Sequence, residues 1–505
     1  MIQFLNYNNL NSRSGSSPLN KNNPPGFIAN GFVLTLVLFL FALPAWGQRI
    51  VISEEVPVYN DVSYEIIGEL AGQTLLFRDK TTSFQVQGFN RQLKLSWEKD
   101  LELDKRNPKI LGITASKFDF TVFYYFKNRG RTFIKAHKYD PAANLRDSLT
   151  FKELSSYAFT PNFDIIQSED RSKVLVYYLE RQEEFKLLCF DVDSMNLMWE
   201  KSFSPENYYR EQHYTQMLVS NSGEMFLIRS KDNFVSRRKD HHFIVYHFDG
   251  AEEEVKQFNI QMGDLLTFDV WFSVDDLNDQ LVAGGLYSDK NREKAIGYFY
   301  LSVDPKKPEA KTIKHQQFDV EFMADFMDKK PKKHVGITEA EIRQNVIRRD
   351  GGILMFVEKV KEFSRAPTTY TNVNRTPYSS LRHPSRDLYF DNIMVISIHP
   401  TGDLHWKTIL YKKQYSQNDF GVYSSYFSFK TPGNIKLLFN DEIKQENTIS
   451  EYVLDGLGNG DRNSVMNTEG LELRLRFQEG LQLDSRRFLI PSERRSRLKL
   501  VRFEY

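Results

Sequence analysis

FDVDSMNLMWEK, residues 190–201, is a hydrophobic strand, a short polar turn and a second strand that carries a tryptophan. The same shape recurs at 398–407, IHPTGDLHWK. It recurs again where Phe89-Asn90 leads through Leu93 and Leu95 to Trp97-Glu98-Lys99. Each reads as a hairpin, because a short turn with Asp, Asn or Gly lets two antiparallel strands pair. Trp97 and Trp199 stand 102 positions apart, two steps of 51, and the midpoint is held by the strand Leu145–Phe151 after a Tyr139-Asp140-Pro141 turn. Similar turns follow at Phe248-Asp249-Gly250 and Val303-Asp304-Pro305. A period near 50 with about four strands in each repeat is the signature of a β-propeller blade.

Counting outward from these hairpins gives an all-β chain of about eight four-stranded blades. The first seven fall at about 64–101, 108–152, 160–204, 213–260, 267–318, 345–411 and 422–467. A count of seven blades in all remains the alternative. The last repeat is expected to hold three strands, Leu471–Phe477, Arg487–Pro491 and Leu498–Phe503. An extra strand, Ile50–Tyr59, has no blade of its own. Pairing it into the last blade would close the ring and remove an open sheet edge. Composition agrees, since 40 Phe and 25 Tyr favour a pleated, half-buried surface.

Blade six is oversized. Residues 318–344 place Phe322, Met323, Phe326 and Met327 at three-to-four spacing, which predicts a short amphipathic helix. Residues 364–387 are rich in Ser, Thr, Pro, Arg and Tyr and read as an excursion from a hairpin. Long loops on a rigid scaffold are where function concentrates, so Tyr370, Arg375, Tyr378, Arg382, His383 and Arg386 are the candidate binding residues.

Residues 32–43, FVLTLVLFLFAL, form an apolar run preceded by Arg13 and Lys21 and followed by Ala45-Trp46-Gly47. A run this short suits a signal peptide over residues 1–47, cut before Gln48, and an uncleaved anchor is the alternative. The folded domain is then 48–505, exported to the periplasm, the outer-membrane surface or the medium. Removing residues 1–47 takes away two basic groups and no acids from a chain with 67 basic and 66 acidic residues. A nearly neutral surface is a poor partner for nucleic acid. No later segment is long and apolar enough to span a bilayer. Cys189 is the only cysteine and reads as a buried apolar side chain.

The stretch Asp350-Gly351-Gly352, Leu354–Glu358, Tyr389–Val395, Pro400-Thr401-Gly402 and Trp406 resembles exported β-propeller proteins of Gram-negative bacteria that carry no assigned activity. Lys412-Lys413-Gln414, Ser416, Asn418-Asp419 and Ser424-Ser425-Tyr426 add to the likeness, which covers roughly residues 345–440. It implies a propeller in the envelope and supplies no catalytic residues.

No other pattern specifies a reaction. His241-His242 with His247 is the first place to seek a metal, but neighbours on a strand point to opposite faces. Asp275-Asp276 with Asp279 lacks the alternation and glycine of a calcium loop and reads as a turn. The basic run Lys329-Lys330-Pro331-Lys332-Lys333 reads as a solvated loop, or as a contact for acidic glycan or lipid. The chain holds no phosphate loop and no hydrolase or zincin motif. No cofactor or metal is expected, and an enzyme is the lesser expectation. The leading reading is an interaction module that uses one rim and the blade-six excursion to hold a protein or glycan of the envelope. The alternative is a glycan-directed enzyme or small-ligand receptor with its site at the mouth of the central channel.

Overall fold

The computed structural model describes residues 48–80, 82–104, 107–155, 160–206, 215–231, 241–288, 293–331, 336–365, 385–441, 443 and 448–505. The segment assigned to a signal peptide lies outside them.

Residues Arg49–Glu504 form eight antiparallel sheets of four strands, two of which gain a fifth short strand. The chain is an eight-bladed β-propeller. The inner strands are Ser63–Leu70, Lys109–Ala115, Phe163–Gln167, Thr215–Val219, Leu266–Asp275, Glu341–Ile347, Phe427–Lys430 and Leu481–Gln482. From each, the chain steps outward strand by strand and then passes to the next blade. The ring closes as the sequence suggests. Arg49–Ile52 pairs antiparallel with Arg497–Glu504, with Ile50 opposite Phe503, and Val56 continues the pairing opposite Leu498.

The Asp-containing turns owe their shape to the side chain. Asp140 Oδ1 accepts the N–H groups of Ala142 and Asn144 at 2.9 Å, and Asp455 Oδ1 accepts those of Leu457 and Asn459 at 2.9 Å. The side chain thus replaces a missing backbone partner and fixes the turn. The tryptophans lock one blade to the next. Trp199 packs under Gly250, and Trp406 under Gly458, so that a Cβ on either glycine would stand 2.9 and 2.6 Å from the indole. Both glycines have positive φ, 85° and 89°. Only glycine meets both demands. Trp97 differs, folding back on Gly88 of its own blade and donating to Gln73 Oε1 at 2.7 Å.

The amphipathic helix forms at Val320–Phe326, and Met323, Phe326 and Met327 are buried between blades five and six. Its C-terminal carbonyls are capped from blade six, Phe326 O by Asn392 Nδ2 at 3.1 Å and Met327 O by Lys359 Nζ at 3.2 Å. The helix is a wedge that fills the wider gap there. The second excursion grows from a hairpin with long arms, Ile353–Arg365 and Ser385–Ile398, and its tip lies outside the described residues.

Two expectations need correction. The inner strand of blade six starts at Glu341, inside the segment assigned to the insertion. Leu471–Phe477 is not a strand. Its alternation correctly buries Leu473, Leu475 and Phe477, but only Leu475 bridges to Ser492 before a 3-10 turn at Phe477–Glu479 interrupts the edge. The chain resumes pairing at Leu481–Gln482. Gly480 permits the re-entry, since a Cβ there would lie 2.4 Å from Ile490 and 2.5 Å from Phe427.

Several of the residues that carry the resemblance, Glu358, Phe390, Lys412, Gln414 and Ser425, form a buried polar seam between blades six and seven. The Lys412 ammonium donates to Phe390 O at 2.7 Å and Gln414 Oε1 at 2.8 Å, and faces Glu358 Oε1 at 2.7 Å as an ion pair rather than an aligned hydrogen bond. Ser425 Oγ donates to the other Glu358 oxygen at 2.6 Å, and Gln414 Nε2 reaches Asn440 O of blade seven at 2.7 Å. Both charged side chains are fully buried, and burial pulls the Lys412 pKa down against the pull of Glu358. Removing Lys412 leaves the buried Glu358 with only Arg343 Nε, at 3.4 Å, to balance it, whereas replacing both Lys412 and Glu358 with apolar groups removes both buried charges. Lys412→Met is expected to cost about 3–5 kcal/mol in urea unfolding. Adding Glu358→Leu should recover most of that loss.

Candidate functional site

Of the six candidate binding residues, Tyr370, Arg375, Tyr378, Arg382 and His383 lie outside the described residues. Arg386 sits near the tip end of the long hairpin's arms, opposite Ser364 and exposed, its guanidinium 3.5 Å from Glu362 and its backbone N–H donating to Asn418 Oδ1 at 2.9 Å. His241 and His242 are buried at a bulge, opposite Gly263 and Gln261. His247 Nε2 lies 3.0 Å from Glu224 Oε2, with its ring stacked on Phe226. Among the described residues no group of three or more His, Cys, Asp or Glu is placed to hold a metal. Asp275 caps its own turn through Leu277 N and Asn278 N, both at 3.2 Å. Cys189 is buried, and burial pushes its thiol up to about 12, which keeps it protonated and unreactive.

The arrangement that sequence reading missed is at the centre. Each inner strand presents one backbone edge to the channel, where no further strand can pair with it. Side-chain amides reach across to the neighbouring blade instead. Gln216 accepts Phe272 N at 3.0 Å and donates to Phe272 O at 2.9 Å, and Gln482 does the same to Lys430 at 3.1 and 2.7 Å. Gln167 donates to Ile113 O at 3.0 Å, and Asn345 to Trp271 O at 2.7 Å. A primary amide carries a donor and an acceptor in one plane, as a peptide group does, so it extends the ladder between blades. An amide in a short apolar strand, about one blade apart from the next, is the signal that would have found them.

Gln216 stands at the start of its inner strand, and Gln167, Asn345 and Gln482 toward the C-terminal ends of theirs, where the turns to the second strands gather into a rim. Here a cavity of about 550 Å³ opens on blades three to seven, lined by Gln167, Gln216, Trp271, Asn345, Lys430, Glu169 and Asp276. Trp271 is 40% exposed, an unusual state for an indole on an inner strand, and Asn345 Oδ1 is buried without a hydrogen-bond partner. A second cavity, about 690 Å³, opens on blades eight, one, two and three. The two adjoin at the blade-three turn, which gives Glu169 to one and Asp170 and Arg171 to the other. Neighbouring turns are tied together: Asp170 N donates to Asn221 Oδ1 at 3.1 Å, and Asn221 N to Asp276 Oδ1 at 2.8 Å.

The other end of the channel is crossed by the 3-10 turn of blade eight. Arg476 donates to Tyr64 OH and Glu493, both at 2.6 Å, and pairs with Glu479 at 2.8 Å. Gln478 holds Gly421 O and Ser424 O at 2.9 and 3.1 Å and accepts from Arg343 of blade six at 3.3 Å. This turn links blade one to blade six across that end. Glu479 and Glu493 flank the Tyr64 hydroxyl, but both are held by Arg476, and the cluster reads as a strut.

Two carboxylates have pKa values raised above the usual carboxylate range. Burial raises Asp276 from 3.8 to about 6, helped by Glu169, Asp170 and Asp275 and opposed by the Asn221 N–H. Burial raises Glu65 from 4.5 to about 7, opposed by Arg171.

No protein-family model matches the chain, and no curated protein matches it. Among solved structures it is similar to the β-propeller domain of the Trilobed protease from Pyrococcus furiosus, with 10% identity over 83% of this chain and 98% of that one and a TM-score of 0.36. It is also similar to dipeptidyl peptidase 4 of Porphyromonas gingivalis, with 10% identity over 86% and 56% and a TM-score of 0.44. An uncharacterized protein from Listeria monocytogenes shares 9% identity over 70% and 81%, with a TM-score of 0.36. Such identities concern the fold alone.

A raised carboxylate pKa stabilises the fold below the unfolded-state value, and that contribution is lost as pH climbs through the folded-state value. For Asp276 and Glu65 the loss falls between about pH 4 and pH 7. Asp276→Asn with Glu65→Gln is therefore expected to raise the thermal midpoint at pH 8 and leave it unchanged at pH 4, as read by differential scanning calorimetry.

Proposed function

We propose that the protein is an exported, non-catalytic binding module that takes a carbohydrate at the mouth of its channel. One observation carries this reading: a half-exposed indole, Trp271, set in a 550 Å³ cavity among amides and carboxylates. Ligand sites are concave, with an apolar platform and a few polar groups that fix orientation. A sugar ring matches that combination, offering a C–H face to the indole and hydroxyls to Glu169 and Asp276. The cavity has room for about two sugar units, given that small-ligand pockets run from about 300 Å³ upward. Export rests on the N-terminal apolar run, and an envelope location on the resemblance. Among the described residues no helix is long and apolar enough to cross a membrane.

Trp271→Ala should weaken binding of the best oligosaccharide from a glycan array by about tenfold, a loss of ~1.4 kcal/mol. Isothermal titration would measure it, alongside a thermal midpoint that hardly moves. Equal affinity in the variant would refute the site.

A second reading, capture of an envelope protein by the blade-six hairpin, is favoured by its arms of 13 and 14 residues, with Phe363 exposed near the tip. Replacing residues 366–384 with a short turn should then remove co-purifying partners and leave the circular dichroism unchanged.

A further inference from the structure

In the second cavity the charges cancel. Its lining holds four cations and four carboxylates, and most are spent on one another or on nearby groups. Arg487 is held by Glu69 at 2.7 Å and Asp484 at 2.8 Å. Lys138 pairs with Asp119 at 3.3 Å and donates to the carbonyls of Val192 and Asp193 at 3.1 and 3.0 Å. Asp170 accepts from the Ser168 and Ser172 hydroxyls at 2.7 and 2.9 Å. Arg171 is exposed, and its charge acts on Glu65. Lys117 and Asp193 are exposed and opposite in sign. A lining balanced in this way favours neither an anion nor a cation. Its ion pairs keep capacity for hydroxyl groups, because a guanidinium has several N–H donors and a carboxylate several acceptor sites.

Phe118 supplies the apolar surface. It lines the cavity and is 79% exposed, at the tip of the blade-two turn. The turn is built to hold it there. Ser116 Oγ accepts the N–H groups of Phe118 and Asp119 at 3.1 and 3.2 Å and donates to Asp119 Oδ1 at 2.8 Å. Ser116 N donates to Asp119 O at 2.9 Å and closes the turn. A hydroxyl that stands in for backbone partners fixes such a tip. A ring carried on a fixed backbone loses little conformational freedom when a ligand covers it. The pattern repeats that of Trp271, one exposed ring at a cavity with polar groups around it.

We infer that this cavity is a second sugar subsite with Phe118 as its stacking platform, so that the ligand is an uncharged glycan chain crossing the channel mouth. The inference rests on the carbohydrate reading of the Trp271 cavity and adds the length and charge of its ligand. The two cavities meet in two places. One is the blade-three turn, between Glu169 and Asp170. The other is the amide bridge from Gln482, in the second cavity, to Lys430, in the first. The Trp271 cavity takes about two sugar units and the larger one at least as many, so a chain of about four or more occupies both.

The test is a glycan array of neutral and acidic chains of two, four and six units, followed by titration calorimetry of the full chain with the best-retained series. The wild type is expected to retain a neutral series and to bind its longer members about tenfold more tightly than its disaccharide. Phe118→Ala should bring the longer chains down to the disaccharide level. It should leave the disaccharide affinity and the thermal midpoint unchanged, since the ring is exposed. Trp271→Ala should weaken every length. Equal affinity at all lengths, a length gain confined to acidic chains, or a gain that Phe118→Ala leaves intact overturns the subsite and spares the carbohydrate reading. Retention of no glycan overturns both.

Discussion

A sheet bent into a ring of blades faces a constraint that a flat sheet does not: its inner edges all look into one channel, and its two ends must meet. An edge backbone group left dry and unpaired costs about as much as a lost hydrogen bond. This chain meets the first demand with amides. Gln167, Gln216, Asn345 and Gln482 each reach the backbone of an adjacent blade. It meets the second with Arg49–Ile52, which supplies the outer strand that the C-terminal repeat lacks. Both devices have a consequence for function. Three of the amides, Gln167, Gln216 and Asn345, line a cavity together with Trp271.

Much of the fold was legible because its signals are local. An Asp that caps its own turn, a strand that alternates, and a Trp on the strand after the turn leave marks within a dozen residues. The closing strand was legible by subtraction, since Ile50–Tyr59 belonged to no repeat. The inner strand of blade eight was misread for an equally physical reason. Alternation reports which side chains are buried, and Leu473, Leu475 and Phe477 are buried, but it does not report whether the backbone between them pairs. Arg476 and Glu479 bind Tyr64 and each other, and the chain turns to allow it.

The site was far less legible. Its residues come from inner strands and turns about fifty positions apart, so no spacing within one repeat brings them together. Trp271 was invisible because it sits outside the hairpin position that the other tryptophans mark. Lys412-Lys413-Gln414 shows the converse difficulty. A run of polar residues reads as solvated surface, yet Lys412 and Gln414 are buried between two blades, and only the pairing with Glu358 makes that tolerable. The candidate residues of the blade-six excursion were chosen because long loops carry function. The geometry instead draws attention to short turns, where Glu169 lines an amide-bearing cavity and Asp170 and Arg171 line its neighbour.

Everything at the rim presupposes that the two termini meet in one blade. The most direct measurement is a disulfide across that seam, Arg49→Cys with Glu504→Cys, whose backbones face each other in the register. Opposed residues in an antiparallel pair lie about 4.5–5.5 Å apart at Cα, within reach of a disulfide. The native Cys189 is buried and does not compete. Mild oxidation should give a monomer that migrates faster without reductant and melts at a higher temperature, at any protein concentration. Free thiols, or disulfide-linked dimers only, would mean that the ring does not close there.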